Sequence, residues 1–213
     1  GIKIMDKATG KIEVEDEQRI AALFSSNDGQ LVMHEDQKET IFSQKYNSLH
    51  SEYQKLITSY FQARLLSGKK IVLDCANGAA SAIAPTIFRQ LGAEVITHAA
   101  QPNGHNINNH CGALYPEVVQ RLVLEHNADA GFSFDGDADR VVMVNKNGII
   151  FDGDDILALL LKNNHYKSAR HVVGTIMSNE GFARYCSQQN IDFTRTAVGD
   201  RHVSAYLASR KLL

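Results

Sequence analysis

Lys70-Ile71-Val72-Leu73-Asp74-Cys75-Ala76-Asn77-Gly78-Ala79 opens the part of the chain whose pattern decides the fold class. Ile71-Val72-Leu73 is a short apolar run and predicts a buried strand. It leads through Asp74 to Gly78 into a helix over about Ala82–Leu91, and Gly92 then precedes a strand around Glu94–Thr97. Beyond an asparagine-rich polar loop, Gln101–Gly112, Pro116 suits the first turn of a helix running to His126. Ala130–Phe134 and Val141–Val144 read as strands, Asn147-Gly148 as a two-strand turn, and Ile149–Phe151 as the returning strand.

The alternation continues downstream. A helix is expected over Asp154–Asn163 with Asp152 as its cap, a strand over His171–Ile176, and a helix over Glu180–Gln189. A strand over Asp192–Arg195 and a helix over His202–Arg210 complete the pattern. Strands alternating with helices predict an α/β fold, with a mixed, mostly parallel sheet and helices on both faces. Upstream the signals are weaker: a strand at Ile2–Met5, a turn at Thr9-Gly10, a short helix over Glu15–Phe24 and a turn at Asn27-Asp28-Gly29. A longer helix is expected between Thr40 and Ser67, starting as late as Ser48 and stopped by Gly68. Its stripe of Phe42, Tyr46, Leu49, Tyr53, Leu56 and Tyr60 reads as core packing.

Composition narrows the function classes. In 213 residues, 44% are hydrophobic, enough for a packed core, and the net charge of −2 comes from interspersed signs. No basic stripe suggests a nucleic-acid or anionic-membrane surface. The longest apolar run, Ile156–Leu161, is far too short to span a bilayer. Cys75, Cys111 and Cys186 are odd in number and widely spaced, which argues against disulfides and structural zinc and favours reduced thiols in a cytoplasmic setting. The start at Gly1 and the stop at Leu213, straight after a helical pattern, read as those of a fragment.

Chemistry concentrates in Phe134-Asp135-Gly136-Asp137-Ala138-Asp139-Arg140. Three carboxylates alternate with small residues at a strand end. Two such groups about 4 Å apart repel by about 1 kcal/mol in water and about 4 kcal/mol at an effective dielectric of 20. A loop turning all three inward therefore calls for a cation, and an oxygen-only donor set suits Mg²⁺. Spacing alone leaves a solvated acidic turn equally open. An EF-hand does not fit, because Arg140 and Lys146 stand where its glycine and bidentate glutamate belong. A haloacid-dehalogenase-like phosphatase, with Asp135 as nucleophile and Asp137 as acid-base, would want threonine at Asp139. His105, His110 and Cys111 match no zinc spacing and read as a polar loop. Asp152, Asp154 and Asp155 read as helix-start residues, and Asn77-Gly78-Ala79-Ala80 as a tight strand-to-helix turn rather than an anion site.

Asp135–Arg140 resembles the metal loop of the phosphohexomutase superfamily. Val72–Ala79, Pro102–Asn108, Gly174–Asn179 and Val198–Val203 are similar to its phosphoglucosamine mutase branch, which usually bears tyrosine where His202 stands. The resemblance runs in order over nearly the whole chain and is weakest across residues 15–50. It implies residues 1–38 as the remnant of a phosphoserine-bearing first domain, 39–150 as a complete second domain with the metal loop, and 151–213 as the start of a sugar-binding third domain. It also implies an intramolecular phosphotransferase that interconverts glucosamine 6-phosphate and glucosamine 1-phosphate through a phosphoserine, in amino-sugar metabolism that supplies cell-wall precursors. Glucosamine 1,6-bisphosphate or glucose 1,6-bisphosphate would be the intermediate or activator. Mg²⁺ would be held by Asp135, Asp137 and Asp139. Lys3 becomes an acid-base candidate in the intact enzyme, or else a surface lysine. Arg140 would steer a phosphate, or else pair with the acidic loop. Arg201 would approach the substrate, or else form a surface salt bridge. The phosphoserine segment is absent from these 213 residues, so the fragment itself is expected to be inactive. Partners implied are a sugar phosphate, no nucleic acid and no membrane, with a homodimer of the intact enzyme left open. A phosphomannomutase or phosphoglucomutase of the same superfamily, and an inert metal-binding module, are the alternatives.

Overall fold

The computed structural model describes residues 5–6, 10–12, 14–25, 38–164 and 166–210, which fall into two compact units dividing between Leu49 and His50. In the first unit, β1 (Met5–Asp6) pairs antiparallel with β2 (Gly10–Lys11). Helix α1 (Val14–Ser25) follows, with Glu15, Asp16 and Glu17 in its first turn at the positive end of the helix dipole. Leu23 and Phe24, near its end, are exposed. The expected turns at Thr9 and Asn27-Asp28-Gly29, and Lys3, lie outside the described residues.

Helix α2 (Lys38–Ser59) departs from expectation twice. It ends at Ser59, not near Ser67. The hydroxyls of Thr58 and Ser59 donate back to the carbonyls of Gln54 (2.8 Å) and Leu56 (2.7 Å), a local bonding pattern that competes with helix continuation. Leu66 N–H then donates to Leu91 O at 2.9 Å, a tertiary partner that an extended helix would not offer. The second departure is the apolar stripe. Leu49, Tyr53, Leu56 and Tyr60 are all exposed, so the described part of the stripe is not core. The half-buried side runs instead through His50, Gln54, Ile57 and Thr58.

The second unit is built on a five-stranded sheet. Its strands are β3 (Lys70–Asp74), β4 (Glu94–His98), β5 (Ala130–Phe134), β6 (Val141–Asn145) and β7 (Ile150–Phe151), in the order β4-β3-β5-β6-β7. β3 runs parallel to both β4 and β5, and β6 and β7 are added antiparallel. The sheet is mixed, as expected. Between β3 and β4 lies helix α3 (Ala80–Gln90), and between β4 and β5 lies α4 (Pro116–Glu125), with Pro116 in its first turn.

Alternation along β3 separates two cores. Ile71, Leu73 and Cys75 pack with Ala80 and Phe88 of the α3 side, while Val72 packs with Val119 and Val123 of α4 and with Val144. The two helices therefore cover opposite faces. Gly131 has no room for a side chain, since a Cβ there would overlap Val119 and lie 2.6 Å from Val123. The β6–β7 turn differs in detail from the expected two-residue type. Asn145 N–H donates to Ile149 O, so Lys146-Asn147-Gly148 forms a three-residue loop with Gly148 at φ +76°.

Helix α5 (Gly153–Lys162) starts as the sequence implies. Asp152 accepts from Asp155 N–H at 3.0 Å, and the Asp155 carboxylate accepts from Asp152 N–H at 3.2 Å, a complete capping box. Beyond it, β8 (His171–Thr175) and β9 (Asp192–Thr196) form a two-stranded parallel sheet. Helix α6 (Glu180–Gln188) joins them, Phe182 meeting Phe193 edge-on at 5.1 Å, and α7 (Asp200–Ser209) follows.

Asp129 ties the start of β3 to that of β5. Its carboxylate accepts from Lys70 N–H (2.9 Å) and from the Lys69 ammonium (3.1 Å), and these contacts hold its pKa below the ordinary 3.8. A depressed carboxylate stabilises the fold above its unfolded pKa, and that contribution fades as pH falls through the lower native value. Wild type should therefore melt above Asp129→Asn at pH 6, with the gap closing toward pH 2. A gap that stays constant across a pH series of melting curves would refute the assignment.

Candidate metal centre

In an open α/β sheet, the crevice at the carboxyl ends of the strands forms where the connections diverge to either side. Here they diverge from β3, because one connection leads outward to β4 and the next crosses back to β5. The acidic segment sits there as the hairpin loop joining β5 to β6, closed by the Phe134–Val141 pair. Within it, Ala138 N–H donates to Asp135 O at 3.0 Å, and Ala138 takes a positive φ of 60°. Alternation does the rest. Asp135, Asp137 and Asp139 each place a carboxylate oxygen within 4.8 Å of the others, with Asp135 buried and the other two exposed.

Arg140 takes the ion-pairing position. Its Nε donates to Asp135 Oδ2 at 2.9 Å, its backbone N–H donates to Asp135 Oδ1 at 2.9 Å, and Nε stands 3.8 Å from Asp139. Burial pulls the Asp135 pKa up, but the Arg140 N–H, guanidinium bond and charge together outweigh it, so the carboxyl is held below its usual range. Asp135 is thus kept ionised beside two further carboxylates.

The loop borders an open cleft of about 890 Å³ whose other wall comes from Gly153 and Asp154 at the start of α5, Thr175 at the end of β8 with Ser178 beyond it, and Gly199 with Asp200 at the start of α7. Arg140 is the one cationic side chain among its described lining residues. Arg201 does not line it. Its N–H donates to Asp200 at 2.8 Å, at the start of α7. Asp154 accepts from Asn179 N–H at 2.7 Å, which fastens α5 to the turn leading into α6. Cys75, Cys111 and Cys186 are free, buried thiols. Burial and then the Asp74 charge push Cys75 up to about 12, so it is an inert core residue.

Sequence reading passed over two neighbours of the loop. Gly78 packs its Cα against the Gly136 carbonyl, and Ala79 N–H donates to Gly136 O at 2.9 Å. The start of α3 is therefore occupied by protein, in keeping with a turn and not an anion site. Asp74, fully buried, accepts from Ala76 N–H (2.9 Å) and Gly112 N–H (2.8 Å). An aspartate directly after the apolar run Ile71-Val72-Leu73 was the available signal.

A sheet of this topology with carboxylates gathered at its switch point has known counterparts. Residues 51–154 match the family model described as phosphoglucomutase/phosphomannomutase, alpha/beta/alpha domain II, and residues 152–213 match that of domain III. The chain belongs to the phosphoglucomutase/phosphomannomutase family. Among its relatives is the phosphoglucosamine mutase of Pseudoalteromonas translucida, 40% identical over 99% of this chain and 45% of that protein. The phosphoglucosamine mutase of Chlamydia felis is 48% identical over 67% of this chain and 32% of its own length. The crystal structure of a phosphoglucomutase/phosphomannomutase family protein from Burkholderia thailandensis superposes with a TM-score of 0.64 at 25% identity, covering 76% of this chain and 36% of that one. The chain thus spans less than half the length of the curated relatives it matches. No helix of the described residues is long and apolar enough to cross a membrane.

Proposed function

We propose that these residues are the central part of a phosphoglucosamine mutase, which interconverts glucosamine 6-phosphate and glucosamine 1-phosphate by way of a phosphoserine outside these residues and a bisphosphate intermediate. The observation that carries it is the convergence of Asp135, Asp137 and Asp139 in a family whose relatives at 40–48% identity bear that name. The donor set fits Mg²⁺: every ligand is a hard oxygen, and two of the three carboxylates are exposed, leaving room for water and phosphate. When bound there, Mg²⁺ would offset negative charge on a phosphoryl group in transfer.

The chain's own residues prepare that site. Arg140 keeps Asp135 ionised and fixes its direction, while Asp137 and Asp139 present oxygens to the cleft. The facing wall adds Asp154 and Asp200, so the cleft would repel a phosphorylated sugar while empty of cations. The convergence of three carboxylate oxygens within 4.8 Å is the physical reason to expect a metal. Arg201, at the start of α7, is proposed to approach the substrate, and Lys3 to serve as an acid-base group. We propose residues 1–38, 39–150 and 151–213 as parts of the first, second and third domains, in a cytoplasmic enzyme.

Titrating Mg²⁺ against thermal unfolding tests the metal. At ten times the dissociation constant, linkage adds about 1.4 kcal/mol, a rise of roughly 3–6 °C for a unit of this size. Coincident melting curves in millimolar Mg²⁺ and in chelator, with no heat of binding, would sink the metal site. For the sugar, the full-length protein should convert glucosamine 6-phosphate in preference to glucose or mannose 6-phosphate. Equal or better turnover of those would favour the phosphoglucomutase or phosphomannomutase alternative.

A further inference from the structure

The three carboxylates lie on a six-residue loop, and a loop by itself would not hold them in one place. Two other loops grip it. From the β3–α3 turn, Ala79 N–H donates to Gly136 O (2.9 Å), and Gly78 lies so close that a Cβ would overlap that carbonyl. From the asparagine-rich loop, Ala113 N–H donates to Phe134 O (2.9 Å), and the side chains of Ile107 and Asn108 crowd Gly136, each standing 2.8 Å from where its Cβ would be. The two gripping loops are joined in turn. Asn108 N–H donates to Ala76 O (2.9 Å), and Asp74 accepts from Ala76 N–H with Oδ1 and from Gly112 N–H with Oδ2.

We propose that Asp74 is the positioning residue of the metal loop: its buried carboxylate locks the 75–79 turn to the 108–113 segment, and the two together set the backbone that carries Asp135, Asp137 and Asp139. The choice of aspartate follows from the bonding. Its two oxygens meet two backbone N–H donors, Ala76 and Gly112. Asparagine has the same shape but can satisfy one donor only, since its amide nitrogen would face the second N–H. Asp74 is not among the residues lining the cleft, so its carboxylate acts through the main chain.

The inference rests on the metal reading, so the test separates the two. Asp74→Asn is compared with wild type by hydrogen exchange at residues 135–140 and by Mg²⁺ calorimetry, below both melting temperatures. Leu91→Ala, in the core at the opposite end of the sheet, serves as a control for general destabilisation. The expected result is faster exchange across 135–140 and about tenfold weaker Mg²⁺ binding in Asp74→Asn, with neither change in Leu91→Ala. Should Asp74→Asn not fold, Asn108→Gly, at an exposed position with φ 56°, removes one gripping side chain without backbone strain and should show the same pair of changes. Unchanged exchange at 135–140 in the folded variant, or changes equalled by Leu91→Ala, would overturn the proposal. If wild type takes up no Mg²⁺, the metal reading fails, and exchange alone decides the positioning role.

Discussion

In the full-length protein, Asp137→Asn is expected to lower kcat by roughly 100-fold or more while leaving the fold untouched. Asp137 is exposed, and the substitution keeps its shape, so its effect on stability should stay within about 0.5 kcal/mol. What it removes is one of three charges that must outweigh Arg140 and hold a cation. Without Mg²⁺ the variant should melt no lower than wild type, because like-charge repulsion in the loop is relieved. With Mg²⁺ the rise in melting temperature should disappear. On the proposed mechanism, which takes the phosphoryl group from a phosphoserine outside these residues, the 213-residue chain is expected to show no mutase activity in either form. Glucosamine 1-phosphate formed by the chain alone in a coupled assay would mean a different active site. Near-wild-type turnover in the full-length variant would remove Asp137 from the ligand set.

Gly78→Ala should be the most damaging single methyl in the described structure. A Cβ there would overlap Gly136 O and lie 2.8 Å from Gly136 C and Cα, all backbone atoms that cannot swing aside. Either the β3–α3 turn or the metal loop has to move. Overpacking of this kind costs about 3 kcal/mol or more when the neighbour is rigid, a fall of roughly 6–12 °C in melting temperature. Mg²⁺ binding should be lost with it, since the displaced atoms belong to the loop between two ligands. Gly153→Ala is the matched control. Nothing lies within 4 Å of a Cβ at 153, the first residue of α5, so alanine there should be neutral or slightly stabilising. Equal melting curves for Gly78→Ala and wild type would show that the close approach is not a constraint in solution.

Much of this molecule was legible in the linear chain wherever one local rule sufficed. Ile71-Val72-Leu73 read as a buried strand, Pro116 as the first turn of a helix, and Asp152 as a helix cap, and the structure contains all three. The order of strands and helices from Lys70 onward was readable for the same reason. The acidic loop was visible too, because three carboxylates two residues apart at a strand end are a local pattern.

What the sequence could not reveal depended on which surface meets which. The tyrosine stripe of α2 has the right spacing for a core face, but spacing says only that those side chains share a side. Tertiary packing put the half-buried side at Ile57 and left Tyr53 and Tyr60 outside. Arg140 could have pointed at a phosphate or at its own loop, and only the folded hairpin placed its guanidinium on Asp135. Asp74 read as part of the passage from strand to helix, and only the folded chain brought Gly112, 38 residues later, to its second oxygen. Local residue chemistry determined the elements and the acidic pattern by itself. The grip on the metal loop was decided by contacts between segments far apart in sequence, which no local rule can foresee.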